Sequence, residues 1–348
     1  RALAVTPAYP EAHNNRGNTL RSLKRLEEAL ESYDKAISVK PDYAEAHNNR
    51  GNVLGSLKRF EEALASYERV LALRPNIAEV HCNRGDALRD LDRWAEALSS
   101  YERALALKPD YPIAHNNRAN VLAYFERLEQ AVASYRQAIA QKPDYAEAHY
   151  NLGNALLRLK RYEDAFASYE KALAIRPDYE FLYGMKLLTQ LRICRWTGFS
   201  ADLSRLETEL EAKKPVTMPF PALVLLDRPD LHATASAIYA ASKYPSPPAP
   251  EFPKKQRGAN KIRVGYYSAD FHDHATAYLM AGLFEAHDRD KFEIYGFSFG
   301  PDANDAMRKR LSAAFSRFIE VRDKPDREIA RLSRSLGIDI AVDLKGYT

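Results

Sequence analysis

The chain has 348 residues, 46% hydrophobic and 28% charged, with 51 Lys and Arg against 47 Asp and Glu for a formal net charge of +4. Such a length points to two or three structural units, and so small a basic excess argues against nucleic acid, whose phosphate backbone calls for clustered cations. No run approaches the ~18 apolar residues of a membrane helix, and two cysteines, Cys82 and Cys194, are too few for a disulfide framework, which favours a reducing compartment and a cytoplasmic location.

Prolines recur at Pro7, Pro41, Pro75, Pro109, Pro143 and Pro177, a strict 34-residue period that marks a repeat architecture. Full copies start near residues 10, 44, 78, 112 and 146, and residues 1–179 are expected to form one solenoid of paired helices. Alignment places Ala29, Ala63, Ala97, Ala131 and Ala165 in one column and Tyr33, Tyr67, Tyr101, Tyr135 and Tyr169 four residues later, on one helix face. Gly17, Gly51, Gly85 and Gly153 share another column, with Ala119 in the fourth repeat, so this site wants almost no side chain where two helices approach. Each proline ends the second helix of its repeat. These anchors resemble the tetratricopeptide family, which often has a large aromatic in the first helix where this chain has His13, His47, His81, His115 and His149.

A metal ladder on those histidines is disfavoured. Ligands sit ~2 Å from zinc, whereas equivalent residues on stacked helices are about 10 Å apart; half-buried imidazoles with one bonded nitrogen fit better. Asn15, Asn49, Asn83, Asn117 and Asn151 form a further column on the first helices, which line the concave side of such arrays. Amides carry both donors and an acceptor, so this ladder is read as binding the main chain of an extended polypeptide, the other reading being that each amide bonds the backbone of the next repeat. Asn14, Asn48, Asn116, Asn18, Asn52, Asn120 and Asn154 enrich the same face.

Beyond Pro177 the period is lost. Residues 180–243 read as irregular helices around 181–195, 201–213 and 231–242 that cap the last repeat, and residues 244–260 as a proline-rich, basic linker. From residue 261 strands and helices alternate: strands over 262–267, 292–299, 315–321 and 338–344, helices over 275–286, 303–314 and 326–336, with Gly337 as a helix stop. That order predicts a parallel, Rossmann-like α/β sheet. Ligands of open parallel sheets bind beyond the carboxyl ends of the strands, which selects the loops at 268–276 and 345–348. Asp270, His272, Asp273 and His274 fall in the first, where an imidazole exchanges protons near neutral pH and a carboxylate orients it. A sheet ending on a bare strand reads as a chain truncated at both ends, residues 261–348 being an incomplete lobe.

The stretch Arg263-Val-Gly-Tyr-Tyr-Ser-Ala-Asp-Phe-His-Asp-His274, with Asp343-Leu-Lys-Gly-Tyr-Thr348 and the preceding array, resembles the bacterial-type members of the protein O-linked N-acetylglucosaminyltransferases. The resemblance implies a tetratricopeptide superhelix feeding polypeptide into a two-lobed glycosyltransferase. It further implies transfer of N-acetylglucosamine from its uridine diphosphate donor (UDP-GlcNAc) to Ser or Thr hydroxyls. His274 matches the family's active-site histidine in its Asp-Phe-x-x-His motif, and Tyr347 lies in the Gly-Tyr-Thr motif near the acceptor, while Ala275 stands where the family commonly has proline. The partners implied are polypeptide and nucleotide sugar, with no cofactor, metal, nucleic acid or membrane. The donor's main binding lobe would lie outside this chain, leaving the fragment inactive alone. A non-catalytic peptide-binding scaffold and a related fucosyltransferase are the alternative readings.

Overall fold

The computed structural model describes residues 8–244 and 261–345, which divide into two compact units, Arg1–Tyr239 and Ala240–Thr348. The first opens with five helix pairs: α1 (Pro10–Ser22) with α2 (Leu26–Val39), α3 (Ala44–Ser56) with α4 (Phe60–Leu73), α5 (Ala78–Asp90) with α6 (Trp94–Leu107), α7 (Pro112–Tyr124) with α8 (Leu128–Gln141), and α9 (Ala146–Arg158) with α10 (Tyr162–Ile175). The turn inside every pair passes through a left-handed residue, Lys24, Lys58, Asp92, Glu126 or Lys160, with φ between 58° and 62°. None is glycine, so each carries a backbone cost of order 1 kcal/mol. Closing bonds accompany it: Lys24 N–H donates to Arg21 O and Arg25 N–H to Leu20 O, both at 3.0 Å, and the other four turns repeat the pattern.

The glycine column has a specific cause. A Cβ on Gly17, Gly51, Gly85 or Gly153 would sit 2.5, 2.6, 2.6 or 2.4 Å from Cε1 of Tyr33, Tyr67, Tyr101 or Tyr169 respectively. The close approach is of tyrosine ring to helix backbone within one repeat, and it buries Tyr33, Tyr101 and Tyr169 completely. Successive first helices touch along the array, α1 with α3, α3 with α5, α5 with α7 and α7 with α9, more closely than successive second helices do. The first helices therefore form the inner side of the curve, as the column reading required.

Four more helices follow among the described residues: α11 (Leu182–Arg192), α12 (Phe199–Glu211), α13 (Pro219–Leu225) and α14 (Pro229–Lys243), the last running past the unit boundary at Tyr239. Leu182 enters the core of the last repeat beside Tyr169 and Ala172, and Leu187, Leu206, Leu210, Ala222 and Leu231 form a core of their own. The short helix α13 was not anticipated. Its prolines, Pro219 and Pro221, mask it in sequence, yet both fall in the first turn, where a missing N–H costs nothing. The proline-rich linker reading concerns residues 244–260, and all of these except Tyr244 lie outside the described residues.

The second unit contains β1 (Ile262–Ser268), α15 (Ala275–Ala286), β2 (Phe292–Ser298), α16 (Ala306–Ala314), β3 (Arg317–Glu320), α17 (Asp326–Ser335) and β4 (Ile340–Asp343). Every strand pair is parallel, in the order β3-β2-β1-β4. Val264, Tyr266 and Ile294 on one face pack against Ala281, Phe284 and Leu311 of α15 and α16. Tyr295 and Phe297 on the other meet Ile329 and Leu332 of α17, and Gly337 ends that helix at φ 69°. The alternation seen in sequence is thus realised with boundaries shifted by at most three residues.

Candidate functional site

The loop after β1 lies at the carboxyl end of the sheet, as expected. His274 is the N-cap of α15, in extended conformation, with Nδ1 accepting from Thr276 N–H at 3.2 Å. Asp270 Oδ2 faces the same nitrogen at 3.7 Å; the carboxylate is 9% exposed and the imidazole 44%. The other oxygen, Oδ1, accepts from Lys345 Nζ at 3.0 Å, and Asp270 N–H donates to Ser268 Oγ at 3.0 Å. Lys345, just past β4, therefore joins the two loops singled out by the strand ends. The rings of His272 and His274 stand edge to face at 5.7 Å. Asp273 holds its place through its backbone, donating to Asp305 Oδ2 at 3.2 Å. That carboxylate also caps α16, and its bonds to the Arg308 and Asp273 N–H groups hold its pKa below the usual range. Tyr347 lies outside the described residues.

On the array the amides serve the neighbouring repeat. Asn49 Nδ2 donates to Asn14 Oδ1 at 3.0 Å, Asn83 to Asn52 at 3.1 Å, Asn117 to Asp86 at 2.8 Å and Asn151 to Asn116 at 3.1 Å. Asn15 in the first repeat is exposed. The next column holds the tyrosine hydroxyls: Tyr33, Tyr67, Tyr101, Tyr135 and Tyr169 donate to Asn18, Asn52, Asp86, Asn120 and Asn154. Each amide nitrogen has two hydrogens and spends one on its neighbour, which makes the ladder a structural tie first. Two hollows open on this inner face. One of about 350 Å³ is bordered by Asn52, Asn83, Asp86 and Asp90. Another of about 420 Å³ is bordered by Asn151, Asn154, Trp94 and Tyr124, the last two rings being stacked at 4.0 Å. The histidine column lies elsewhere: Nε2 of His47, His81, His115 and His149 meets the carbonyl of Pro41, Pro75, Pro109 and Pro143 at 2.8–3.1 Å. These are packing residues, joining each first helix to the proline turn before it.

Residues 244–348 match the model of glycosyl transferase family 41, and tetratricopeptide repeat models match residues 17–58, 42–110, 76–144 and 116–180. The chain thus joins tetratricopeptide repeats to a segment similar to glycosyl transferase family 41. It is 28% identical over 171 residues to a probable UDP-N-acetylglucosamine–peptide N-acetylglucosaminyltransferase (SEC) of Arabidopsis thaliana, a match covering 45% of this chain and 18% of the plant protein. It is 27% identical over 93 residues to a UDP-N-acetylglucosamine–peptide N-acetylglucosaminyltransferase of Caenorhabditis elegans, covering 26% of this chain and 8% of the nematode protein. The matched part thus spans less than a fifth of either relative. Pseudomonas aeruginosa PilF shares the fold, with a TM-score of 0.52 at 19% identity over 59% of this chain and 92% of its own.

Within the segment that matches family 41, the sequence placed Asp270 and His274 in one loop and selected the loop at 345–348 beside it, but did not single out Lys345, Asp305 or Arg308 as neighbours of the first loop. The strand ends select both loops because β4 lies beside β1 and the two emerge on one edge; the individual contact of Lys345 with Asp270 carries no signal in the sequence. No helix among the described residues is long and apolar enough to cross a membrane.

Proposed function

We propose that this protein belongs to a transferase that moves N-acetylglucosamine from UDP-GlcNAc to serine or threonine hydroxyls of polypeptides led in along the repeats. The observation that carries the reading is the Asp270–His274 pair at the carboxyl end of a parallel sheet, in a segment matching glycosyl transferase family 41. In such a transfer the acceptor oxygen forms a bond to the anomeric carbon, the bond from that carbon to the diphosphate breaks with its electron pair leaving on the diphosphate, and the hydroxyl proton passes to solvent. Because Nδ1 accepts from Thr276 N–H, the neutral ring carries its own proton on Nε2. His274 therefore favours donating a hydrogen bond to an oxygen of acceptor or sugar over taking a proton at Nε2. Asp270 faces the ring beside Nδ1 and helps fix its place, its other oxygen being held by Lys345. Tyr347 and the Asn15, Asn49, Asn83, Asn117 and Asn151 ladder are assigned to the acceptor, the ladder through its second amide hydrogens. The donor is assigned mainly to a lobe outside this chain, and no further cofactor is invoked.

Mass spectrometry of Ser/Thr-rich peptides, after incubation of the full-length protein with UDP-GlcNAc or with GDP-fucose, tests the reading. Addition of N-acetylhexosamine that falls by at least about 100-fold in His274→Ala, within the range typical of a lost acid–base or polar catalytic group, is expected. Transfer of fucose instead, no transfer, or full turnover in the variant would sink it.

A further inference from the structure

Arg308, on the first turn of α16, is a buried cation with a side chain only 9% exposed. Its Nη1 donates to the carbonyl of Phe271 at 3.1 Å, both terminal nitrogens reach Ser298 Oγ at 3.4 Å, and Nη2 pairs with Glu320 Oε1. The guanidinium carbon lies 5.2 Å from the centre of the Phe318 ring. One side chain thus gathers the ends of β2 and β3 and the loop after β1.

The contacts on that loop follow a two-residue alternation. Ala269 lies so close to Gly300 that a Cβ there would come 1.7 Å from its carbonyl oxygen. Phe271 O is held by Arg308, and Asp273 N–H by Asp305 at 3.2 Å. Residues 269, 271 and 273 are gripped from the β2–α16 side, while the intervening Asp270, His272 and His274 form the polar cluster. The segment between β1 and α15 is irregular, with bends at residue 269 and over 272–274, so the backbone grips at 269, 271 and 273 are what set the places of the residues between them. Burying a guanidinium is costly unless all its partners are in place, and leucine-like packing usually serves stability as well. What the cation adds is geometry: a planar fork that reaches three acceptors at once, which a lysine cannot reproduce.

We infer that Arg308 is a positioning residue for the Asp270–His274 pair, acting through the Phe271 carbonyl. This rests on the reading of that pair as the reacting site, and its test needs no sugar transfer. Amide hydrogen exchange and the ring carbon–proton signals of His274 are followed in the intact chain, in wild type, Arg308→Gln, Arg308→Lys and Arg310→Gln. Arg310 pairs with Glu285 at the surface and serves as control. The expected result is that Arg308→Gln speeds exchange of the 270–276 amides by about 10-fold, or ~1.4 kcal/mol, with β1 and β2 unchanged and the His274 signals displaced. Arg308→Lys should lie between, and Arg310→Gln should match wild type. Uniform acceleration throughout the sheet would mean that Arg308 only stabilises the fold, and unchanged loop exchange would mean that it does not hold the loop; either overturns the inference. Should Arg308→Gln fail to fold, Arg308→Lys and Glu320→Gln carry the same comparison. Failure of the transfer assay would leave this result intact, so the two ideas fall separately.

Discussion

Asn117 of the fourth repeat donates to Asp86 of the third at 2.8 Å, and the oxygen that receives it, Oδ1, also accepts from the Tyr101 hydroxyl at 2.7 Å. One repeat earlier Asn52 Oδ1 fills the same two roles, accepting from Asn83 Nδ2 and Tyr67 OH. Asp86 is the one acid in a column otherwise made of Asn18, Asn52, Asn120 and Asn154. Only the charge distinguishes it.

Burial raises the Asp86 pKa, against the lowering influence of Tyr101, Arg89 and Asn117. The folded state therefore holds the proton more tightly than the unfolded chain, and this favourable contribution is lost as pH rises through the raised pKa. At pH 7 the ionised group is a burden that Asp86→Asn removes while keeping both bonds. The variant should melt higher than wild type at pH 7, by only a few tenths of a kcal/mol because solvent screens a partly exposed group. The gap should close as pH falls below the carboxylate range. Paired thermal melts from pH 3 to 8 check this; a gap that widens on acidification contradicts it.

Gly85 faces the ring of Tyr101, and a Cβ there would meet Cε1 at 2.6 Å. Gly85→Val should cost about 2–3 kcal/mol from overpacking and the displaced tyrosine. Gly85→Ala should cost clearly less, since the fourth repeat carries Ala119 at this position with Tyr135 still buried. Urea unfolding of both variants measures the difference, and equal costs would mean that the ring is not the constraint.

His274 has a structural duty as N-cap of α15 as well as its proposed chemical one. His274→Ala should lose about 1 kcal/mol of stability. His274→Asn, a good capping residue, should recover most of that loss while remaining as inactive in transfer as the alanine variant. Calorimetry beside the peptide assay separates the two duties. Recovery of activity in the asparagine variant would reduce the histidine to a cap.

Asn83→Ala with Asn117→Ala removes two inter-repeat ties and should destabilise the array by roughly 0.5–1.5 kcal/mol for each lost bond. Titration of an unstructured Ser/Thr-rich peptide, well below the melting temperature, should show weaker binding as well. Lower stability with unchanged affinity would leave the amides a purely structural part.

The period of 34 residues made the helix pairs legible, and the turn from 3.6-residue to strand-like patterning near residue 261 made the sheet legible. What stayed hidden depended on contacts without a local offset. Asn83 and Asn117 bond residues 31 positions back, whereas Asn49 and Asn151 bond residues 35 positions back. Both offsets straddle the period, so column alignment shows the row of amides but not which neighbour each selects. Lys345 reaches Asp270 across 75 residues, and Arg308 reaches Phe271 across 37. Those pairings exist only once β4 has added beside β1 and α16 has packed over the sheet. The histidine column was easier, because the rings of His47, His81, His115 and His149 each find a proline carbonyl six residues earlier.

The amide row of the inner face has a metric consequence. Stacked helices recur about every 10 Å, and an extended chain advances at most ~3.3–3.6 Å per residue. If the amide row binds polypeptide as proposed, one amide per repeat would act as a tooth of a comb whose spacing equals about three residues of guest backbone. A polypeptide lying along it would engage every third peptide group whatever its side chains. Sliding by three residues would recreate every contact, while sliding by one would break them all. The row would then behave as a ratchet for translation along the strand, indifferent to sequence and strict about extension.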